Sequence, residues 1–270
     1  MKEQPTLHYY ILSDSIGETA QKVANAAIAQ FPDANTVLHK YIFISNIEDL
    51  DKILNEAVEI DGLIFMTIAN AVMANYVERF CIKTGLICYN LIQPFTLEIQ
   101  RRLGIQASWK VGAQHELSED YFKRVNAMEF CIAYDDGKDP SAIKEADIVL
   151  LGISRTSKTP LSMYLAMNGF KVVNIPLIPE KELPEEIYQV SSKKIIGLTN
   201  DATVINRHRE IRMESYGVSQ SRYSSMDRVN VELEYANQIY AELGCYVINV
   251  SERSIEETAG LIMQQLQVWN

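Results

Sequence analysis

The sequence predicts an α/β protein in two parts, an N-terminal α/β domain and a C-terminal domain built on a parallel sheet. Short apolar runs alternate with amphipathic stretches along the 270 residues, and this alternation indicates strands connected by helices. The alternation weakens between Gly104 and Gly137 and then starts again. Because one interruption separates two alternating stretches, we expect two domains.

The first stretch predicts strands and helices in alternation. Strands are expected at residues 9–12, 37–44, 63–68 and 86–91, and helices after residue 19, at 47–57 and at 71–84. The small polar residues at 13–19 suit the cap of the first helix. In that helix, four apolar residues at helical spacing are expected to share one face: Val23, Ala26, Ala27 and Phe31.

The interruption predicts a connection between the domains. Residues 117–130 are typical of a charged helix, and the run 135–140 is rich in turn-forming Asp, Gly and Pro. We therefore divide the chain into an N-terminal α/β domain at 1–110, a connecting helix and linker at 111–140, and a second α/β domain at 141–270.

The second stretch repeats the alternation. Strands are expected at 147–151, 171–175 and 194–198, and helices at 159–167 and 227–243. In the last helix, apolar residues recur at three- and four-residue spacing, which predicts a face buried in the core. These residues are Val229, Leu233, Ala236, Tyr240 and Leu243.

Composition and charge exclude several classes of function. The net charge of −10 argues against a nucleic-acid partner, because such proteins need a clustered positive surface. The four cysteines lack CxxC or zinc-site spacing, which predicts buried reduced thiols. The N-terminus lacks a signal-peptide core, and no apolar run approaches the ~18 residues of a membrane span. We expect a soluble cytoplasmic protein without a membrane partner. Its oligomeric state stays open, with a homodimer as one candidate.

The strongest motif directly follows the predicted strand at 147–151. The Walker pattern G-x-x-x-x-G-K-[ST] supplies backbone N–H groups and a lysine for phosphates, and a hydroxyl for magnesium. Gly152 opens the loop, Lys158 and Thr159 close it, and a helix follows. Ser157 replaces the second glycine, a departure that can alter the loop geometry. The predicted nucleotide-binding residues are Gly152, Ile153, Ser154, Arg155, Thr156, Ser157, Lys158 and Thr159.

This motif predicts that the second domain is a P-loop kinase-like catalytic domain of a phosphotransferase. Lys158 is assigned to the phosphates, and the Thr159 hydroxyl to Mg²⁺. Arg155 either clamps the transferring phosphoryl group or is a solvated loop arginine. Asp201, after the strand at 194–198, either assists catalysis or caps the next helix, and capping is favoured. Asp14 follows the first strand, and it acts either as a general base or as a helix cap, with capping again favoured.

A basic segment lies beyond the loop. From Ser191 to Arg228, seven cations stand against four acids in an otherwise acidic protein. Such a segment either holds phosphate groups or forms a solvated helix face. The cations are Lys193, Lys194, Arg207, Arg209, Arg212, Arg222 and Arg228. The four histidines form no HExxH pattern and are expected to be structural or at the surface.

Several segments resemble the pyruvate, phosphate dikinase regulatory proteins. The likeness is strongest at 147–166, which contains the Ser-Arg-Thr-Ser-Lys-Thr-Pro run, and it extends over nearly the whole chain. It includes residues 13–20, 115–124, 173–179, 196–199 and 232–236. The Thr156–Ser157 pair is similar to the dikinase branch. The sister branch acts on phosphoenolpyruvate synthase, and its loop more often has Cys-Gly before the lysine.

The resemblance implies a bifunctional, ADP-dependent serine/threonine protein kinase. Members of that family phosphorylate a threonine of pyruvate, phosphate dikinase with ADP, which inactivates it. They also reverse the modification, because inorganic phosphate attacks the phosphothreonine and pyrophosphate is released. ADP, Mg²⁺ and inorganic phosphate are therefore the expected small molecules, and the dikinase is the expected partner. Three alternatives stay open: the same chemistry on phosphoenolpyruvate synthase, a P-loop small-molecule kinase, and a nucleotide-binding switch.

Overall fold

The computed structural model describes residues 5–113, 118–137, 139–215, 223 and 225–269. The chain divides into two compact units, Met1–Glu116 and Leu117–Asn270. Each unit contains one four-stranded sheet, and every strand pair in both sheets is parallel. The prediction of an α/β protein is confirmed. Within the described residues, no helix combines the length and the apolar character needed to cross a bilayer.

The first sheet is built from strands that alternate with helices. Its strands are β1 (Thr6–Ser13), β2 (Asn35–Tyr41), β3 (Leu63–Thr67) and β4 (Cys88–Asn90). Their order is β2-β1-β3-β4, so β1 and β3 are central. The central strands carry runs of buried apolar residues, because a parallel sheet is covered on both faces. The edge strands are largely exposed or half-buried.

Four helices connect and flank these strands. They are α1 (Glu18–Ile28), α2 (Ile47–Glu59), α3 (Ala71–Thr84) and α4 (Gln93–Leu103). Asn46 and Asn70 cap α2 and α3, since each side chain accepts a hydrogen bond from a first-turn N–H. Helix α4 is not among the helices expected from the sequence. No residue of α4 is buried, although Phe95, Ile99 and Leu103 recur at four-residue spacing on one face.

The apolar face predicted for α1 is not the face that packs on the sheet. Val23, Ala26, Ala27 and Phe31 are all exposed, and Phe31 lies beyond the end of the helix. The helix packs on the sheet through Ala20 and Ala24, which are fully buried, and through the partly buried Ile28.

The second sheet has the same strand order as the first. Its strands are β5 (Ile148–Gly152), β6 (Val172–Pro176), β7 (Ile195–Thr199) and β8 (Tyr246–Asn249), in the order β6-β5-β7-β8. All five residues of β5 are buried. The sequence pattern does not indicate β8, because it is a short edge strand in which only Ile248 is buried.

The described residues of the second unit form six α-helices around the sheet. They are α5 (Glu119–Ala133), α6 (Ala142–Glu145), α7 (Lys158–Met167), α8 (Ala202–Ser215), α9 (Met226–Leu243) and α10 (Ile255–Trp269). Helices α5 and α10 both pack on α7. The predicted core face of α9 is confirmed, since its five apolar residues are buried or partly buried in one cluster.

Residues 118–137, which include α5, belong to the second compact unit. The sequence pattern assigns this segment to a connection at 111–140. The helix packs on α7 through Ala127 and Cys131, which form a buried cluster with Ala166. The division between the units falls at residues 116 and 117.

The four cysteines are free thiols. Cys81 and Cys131 are buried, whereas Cys88 and Cys245 are half-buried, so the expectation of burial holds for two of them. Burial raises the pKa of the Cys131 and Cys245 thiols above the ordinary value. At both positions burial therefore favours the protonated thiol over the thiolate.

Candidate functional site

The phosphate-loop motif connects the end of β5 to the start of α7. Gly152 is the last residue of the strand, and Lys158 is the first residue of the helix. Two left-handed residues, Arg155 (φ 75°) and Ser157 (φ 59°), turn the backbone between them. Ser157 is the N-cap of α7, but its side chain accepts no hydrogen bond from the first turn. A helix N-terminus without a side-chain cap presents backbone N–H groups that suit an anion.

Gly152 and Thr156 fix the path of the loop. A Cβ on Gly152 would lie 2.5 Å from Thr156 Oγ1 and 3.0 Å from the carbonyl oxygen of Leu198, so only glycine fits. Thr156 is fully buried, and its hydroxyl donates to the Ile153 carbonyl at 2.9 Å. Ser157 keeps the left-handed conformation that the motif's second glycine adopts freely, at a cost of about 1–2 kcal/mol for a residue with a Cβ.

The Lys158 side chain turns into the loop. Its Nζ donates to the carbonyl oxygens of Gly152 at 2.8 Å and Ile153 at 3.0 Å, and the residue is only 7% exposed. Burial lowers the pKa of Lys158 to about 8, although the nearby Asp136 and Asp135 oppose the change. Neighbouring Arg209 lowers this pKa slightly further.

A pair of acids that the sequence pattern assigns to a linker faces the loop. The amide of Asn174, a fully buried residue of β6, donates to Asp135 Oδ1 and accepts from the backbone N–H of Asp136 at 3.2 Å. The Thr159 hydroxyl also donates to Asp135 Oδ1, at 3.4 Å. A single buried asparagine thus positions both acids beside the last residues of the loop.

A cavity of 510 Å³ opens on the loop. Its lining comes from the loop, from the start of α7, from the ends of β6 and β7, and from α8. The residues are Asp136, Ser154, Arg155, Ser157, Lys158, Thr159, Pro160, Pro176, Asn200, His208 and Arg212. The carboxyl ends of β5, β6 and β7 therefore meet at this cavity, as expected for a ligand site on a parallel sheet.

A buried ion pair braces the loop. Arg209 of α8 is fully buried, and its Nη2 donates to Glu232 Oε2 at 2.6 Å and to the Ser154 carbonyl at 3.3 Å. Its Nη1 donates to the Tyr223 carbonyl at 3.0 Å, and its guanidinium lies 4.5 Å from the centre of the Tyr223 ring. The Tyr223 and Ser154 hydroxyls are 2.6 Å apart. Arg209 consequently holds the first half of the loop against α8 and α9.

The other candidate acids lie elsewhere. Asp201 directly precedes α8, accepts from the Asn249 side chain at 3.1 Å, and does not line the cavity. Asp14 of the first unit is 8% exposed, and its Oδ2 accepts from the backbone N–H groups of Ala69 at 2.8 Å and Asn70 at 2.9 Å. Asp14 therefore joins the loops after β1 and β3, and the N-cap of α1 is Gly17.

The basic segment divides into separate roles. Arg209 is buried in the brace, Arg228 pairs with Glu180 and Glu232, and Lys194 donates to the Ala146 carbonyl at 3.0 Å. Of its described cations, only Arg212 lines the cavity. Arg222 lies outside the described residues, as do residues 115–117 of the family-like run 115–124.

The first unit also has a cavity at the loop after its first strand. The cavity measures 340 Å³ and is lined partly by the run from Ser13 to Thr19. Gly17 (φ 70°) is the N-cap of α1, as Ser157 is of α7. The first residue of α1 is Glu18, whose carboxylate pairs with Lys22 at 2.7 Å.

The chain is similar over nearly its whole length to several named proteins. A protein of Lactobacillus acidophilus named "Putative pyruvate, phosphate dikinase regulatory protein" is 47% identical over 269 residues, which cover 99% of this chain and 97% of that protein. Proteins of the same name are 45% identical over 266 residues in Pediococcus pentosaceus, covering 98% and 99%, and 46% identical over 268 residues in Lactobacillus helveticus, covering 98% and 96%. Residues 9–263 match the model of a family described as kinase/pyrophosphorylase, and the chain belongs to this family.

Proposed function

We propose that this chain transfers the β-phosphoryl group of ADP to a threonine of pyruvate, phosphate dikinase and removes it again by phosphorolysis. Membership of the kinase/pyrophosphorylase family and the names of the relatives support a regulator with phosphotransfer chemistry. The observation that carries the proposal is the cavity in which Lys158, Asp136 and the loop backbone meet. In this proposal the second unit is a P-loop kinase-like catalytic domain.

The loop provides the binding site for the diphosphate. The first N–H groups of α7 and the backbone of residues 152–157 surround the phosphate oxygens, as at other helix N-termini that bind anions. The Lys158 ammonium exchanges its two carbonyl acceptors for phosphate oxygens, since charged acceptors bind an ammonium more strongly. Arg155 is placed to neutralise the transferring group from the same cavity.

The residues around Thr159 suit a magnesium ion. Its hydroxyl and the Asp135 carboxylate already lie within 3.4 Å of each other, and both are oxygen ligands of the type that Mg²⁺ selects. Mg²⁺ usually takes one or two protein oxygens and completes its shell with substrate phosphates and water. When bound, the ion would neutralise charge that develops on the phosphates.

Asp136 is the proposed general base. It lines the cavity beside Lys158, and its backbone N–H is fixed by Asn174. In the forward direction the threonine Oγ forms a bond to the β-phosphorus of ADP while the bond from that phosphorus to the bridging oxygen breaks. The threonine proton passes to Asp136, and AMP leaves with the bridging oxygen.

The reverse direction uses the same groups in the opposite sense. An oxygen of inorganic phosphate forms a bond to the phosphorus of the phosphothreonine, and the bond from that phosphorus to the threonine oxygen breaks. The threonine oxygen takes a proton from Asp136, and pyrophosphate leaves. Asp136 is reprotonated by the proton that hydrogen phosphate loses when it attacks. The atoms and charges therefore balance without a further reactant.

The decisive experiment uses ADP labelled in its β-phosphate. The full chain is incubated with labelled ADP and Mg²⁺, with and without purified pyruvate, phosphate dikinase, and the products are separated. We expect label on a threonine of the dikinase, and release of labelled pyrophosphate when inorganic phosphate is then added. Transfer from the γ-phosphate of ATP, with none from ADP, would contradict it.

Two further arms separate the alternatives. Purified phosphoenolpyruvate synthase replaces the dikinase in the first, and label on the synthase alone would assign the chain to that target. A metabolite extract replaces the protein in the second, and label on a small molecule would indicate a small-molecule kinase. Nucleotide binding without transfer in any arm would indicate a switch.

A further inference from the structure

Helix α8 presents two different faces to the second unit. Ile205 and Arg209 lie four residues apart and are fully buried. His208 and Arg212 also lie four residues apart, are exposed, and line the cavity at the phosphate loop. Because residues four apart share a helix face, one face of α8 braces the loop and another brings two basic side chains to the ligand cavity.

Basic residues outnumber acidic residues in the lining of this cavity. The basic residues in the lining are Arg155, Lys158, His208 and Arg212, and the only acid among the described lining residues is Asp136. Asp136 lies close enough to Lys158 to raise the lysine's pKa, so these two charges oppose each other. The other basic side chains of the lining are Arg155 and the two residues of the α8 face.

Arg155 has unused donor capacity. Its Nε is buried and makes no hydrogen bond, and the residue forms no ion pair within the part of the chain that the structure describes. By contrast, the buried Arg209 nearby has a carboxylate and two carbonyl acceptors. A guanidinium that lines a cavity without a carboxylate partner suits a phosphate ligand, which it binds through two oxygens.

The proposed reverse reaction needs two phosphate groups in the site together. One belongs to the phosphothreonine, and the other is inorganic phosphate. Two such dianions repel each other strongly in a partly desolvated cavity, so each needs its own cations. In the proposed function the loop backbone and Lys158 hold the diphosphate of ADP, so the other basic side chains of the lining are the candidates for a further phosphate group.

We propose that Arg155, His208 and Arg212 form a second phosphate subsite, beside the loop backbone and Lys158 that hold the diphosphate of ADP. It takes a phosphate dianion, either inorganic phosphate or the phosphoryl group of a phosphothreonine. This inference rests on the proposed function and assigns the second phosphate of its reverse reaction to named residues.

The test measures binding by the full chain, independently of turnover. The variants are Arg212→Gln and the double variant His208→Gln/Arg212→Gln, and the control is Arg207→Gln on the same helix, whose exposed side chain does not line the cavity. Titration calorimetry determines the affinities for ADP, for inorganic phosphate, and for N-acetyl-O-phosphothreonine amide. Thermal unfolding checks that each variant is folded.

We expect each α8 variant to bind at least one phosphate probe about tenfold more weakly, the loss typical of a charged hydrogen bond, with ADP affinity unchanged. Loss for inorganic phosphate alone assigns the subsite to that ligand, and loss for the phosphothreonine probe alone assigns it to the phosphoester. The control should match the parent chain in all three titrations.

Two results would overturn the subsite. Unchanged affinities for both phosphate probes would remove α8 from phosphate binding, and an equal loss of ADP affinity would assign the α8 face to the nucleotide. The proposed function fails separately, if the parent chain transfers no label from ADP to any protein. A parent chain that binds phosphate through α8 but transfers no label would retain the subsite and lose the proposed function.

Discussion

The loop after β1 and the loop after β5 occupy the same position in two sheets of the same strand order. In each sheet the first strand lies beside the third, where the chain changes direction across the sheet and α/β proteins commonly bind ligands. Each loop lines a cavity and leads into a helix with a left-handed N-cap. The first helical residue then differs in charge, because it is Glu18 in one unit and Lys158 in the other.

This difference shows that strand order creates the cavity and side chains determine its chemistry. In the first unit Glu18 pairs with Lys22, and both residues line that unit's cavity. In the second unit Lys158 is buried against the loop carbonyls and has acids within electrostatic range. The proposed function assigns the cation and the base of phosphoryl transfer to this second arrangement.

Replacing the acid near each loop should produce the largest difference in activity between the two units. Asp136→Asn should lower kcat for transfer by about 10²–10⁴-fold, the usual effect of losing a general base, with ADP affinity retained. Asp14→Asn should leave kcat unchanged, because the Oδ1 of an asparagine can still accept from Ala69 and Asn70. Initial rates of label transfer measure both. Equal losses in the two variants would contradict the assignment of the base.

The buried ion pair of Arg209 that holds the second loop should produce the next largest difference, in stability. Arg209→Met should lower the free energy of unfolding by about 3–5 kcal/mol, because it breaks a buried ion pair. Arg209→Lys should recover part of this loss. Arg102→Met is the control, since its pair with Glu98 in the first unit is exposed and should contribute much less. Denaturant unfolding measures the three variants, and a small effect of Arg209→Met would refute the brace.

The first two contrasts also show what the sequence can and cannot predict. The strands flanking the loop, the helix after it and the core face of α9 follow from local periodicity. Asp136 does not, because it precedes the loop by 16 residues or more and reaches it only through the packing of β6. The available signal was Asn174, a lone polar residue inside an apolar strand. Asp201 follows a strand of the same sheet, yet its side chain turns to Asn249.

The buried state of Lys158 predicts a pH dependence of ADP binding. In the free protein its pKa is lowered to about 8, so above that pH the amine is mostly neutral and must take up a proton to bind phosphate. ADP affinity should fall by about tenfold per pH unit above this value. Calorimetry in two buffers of different ionisation enthalpy detects the proton uptake. Lys158→Arg is the control, since arginine stays charged, and an identical pH profile in that variant would refute the explanation.

Substitutions at the two left-handed N-caps should produce the smallest effects, and these should change the free energy of unfolding in opposite directions. Ser157→Gly should raise the free energy of unfolding by about 0.5–1 kcal/mol, because it relieves a strained backbone at some entropic cost. Gly17→Ala should lower it, because the new Cβ meets Ile42 Cγ2 at 3.0 Å and φ is +70°. Denaturant midpoints of both variants check the signs. A destabilised Ser157→Gly protein would show that the serine side chain supports the loop.

The most direct test of the difference between the two loops replaces one lysine in each unit. Lys158→Met and Lys22→Met are compared for transfer of the labelled β-phosphoryl group from ADP to the dikinase, after thermal unfolding confirms that both are folded. We expect Lys158→Met to lose transfer by at least about 10²-fold, as for removal of a group that stabilises transition-state charge. We expect Lys22→Met to keep the parent rate. Retained transfer by Lys158→Met would contradict the assignment of phosphate chemistry to the second loop.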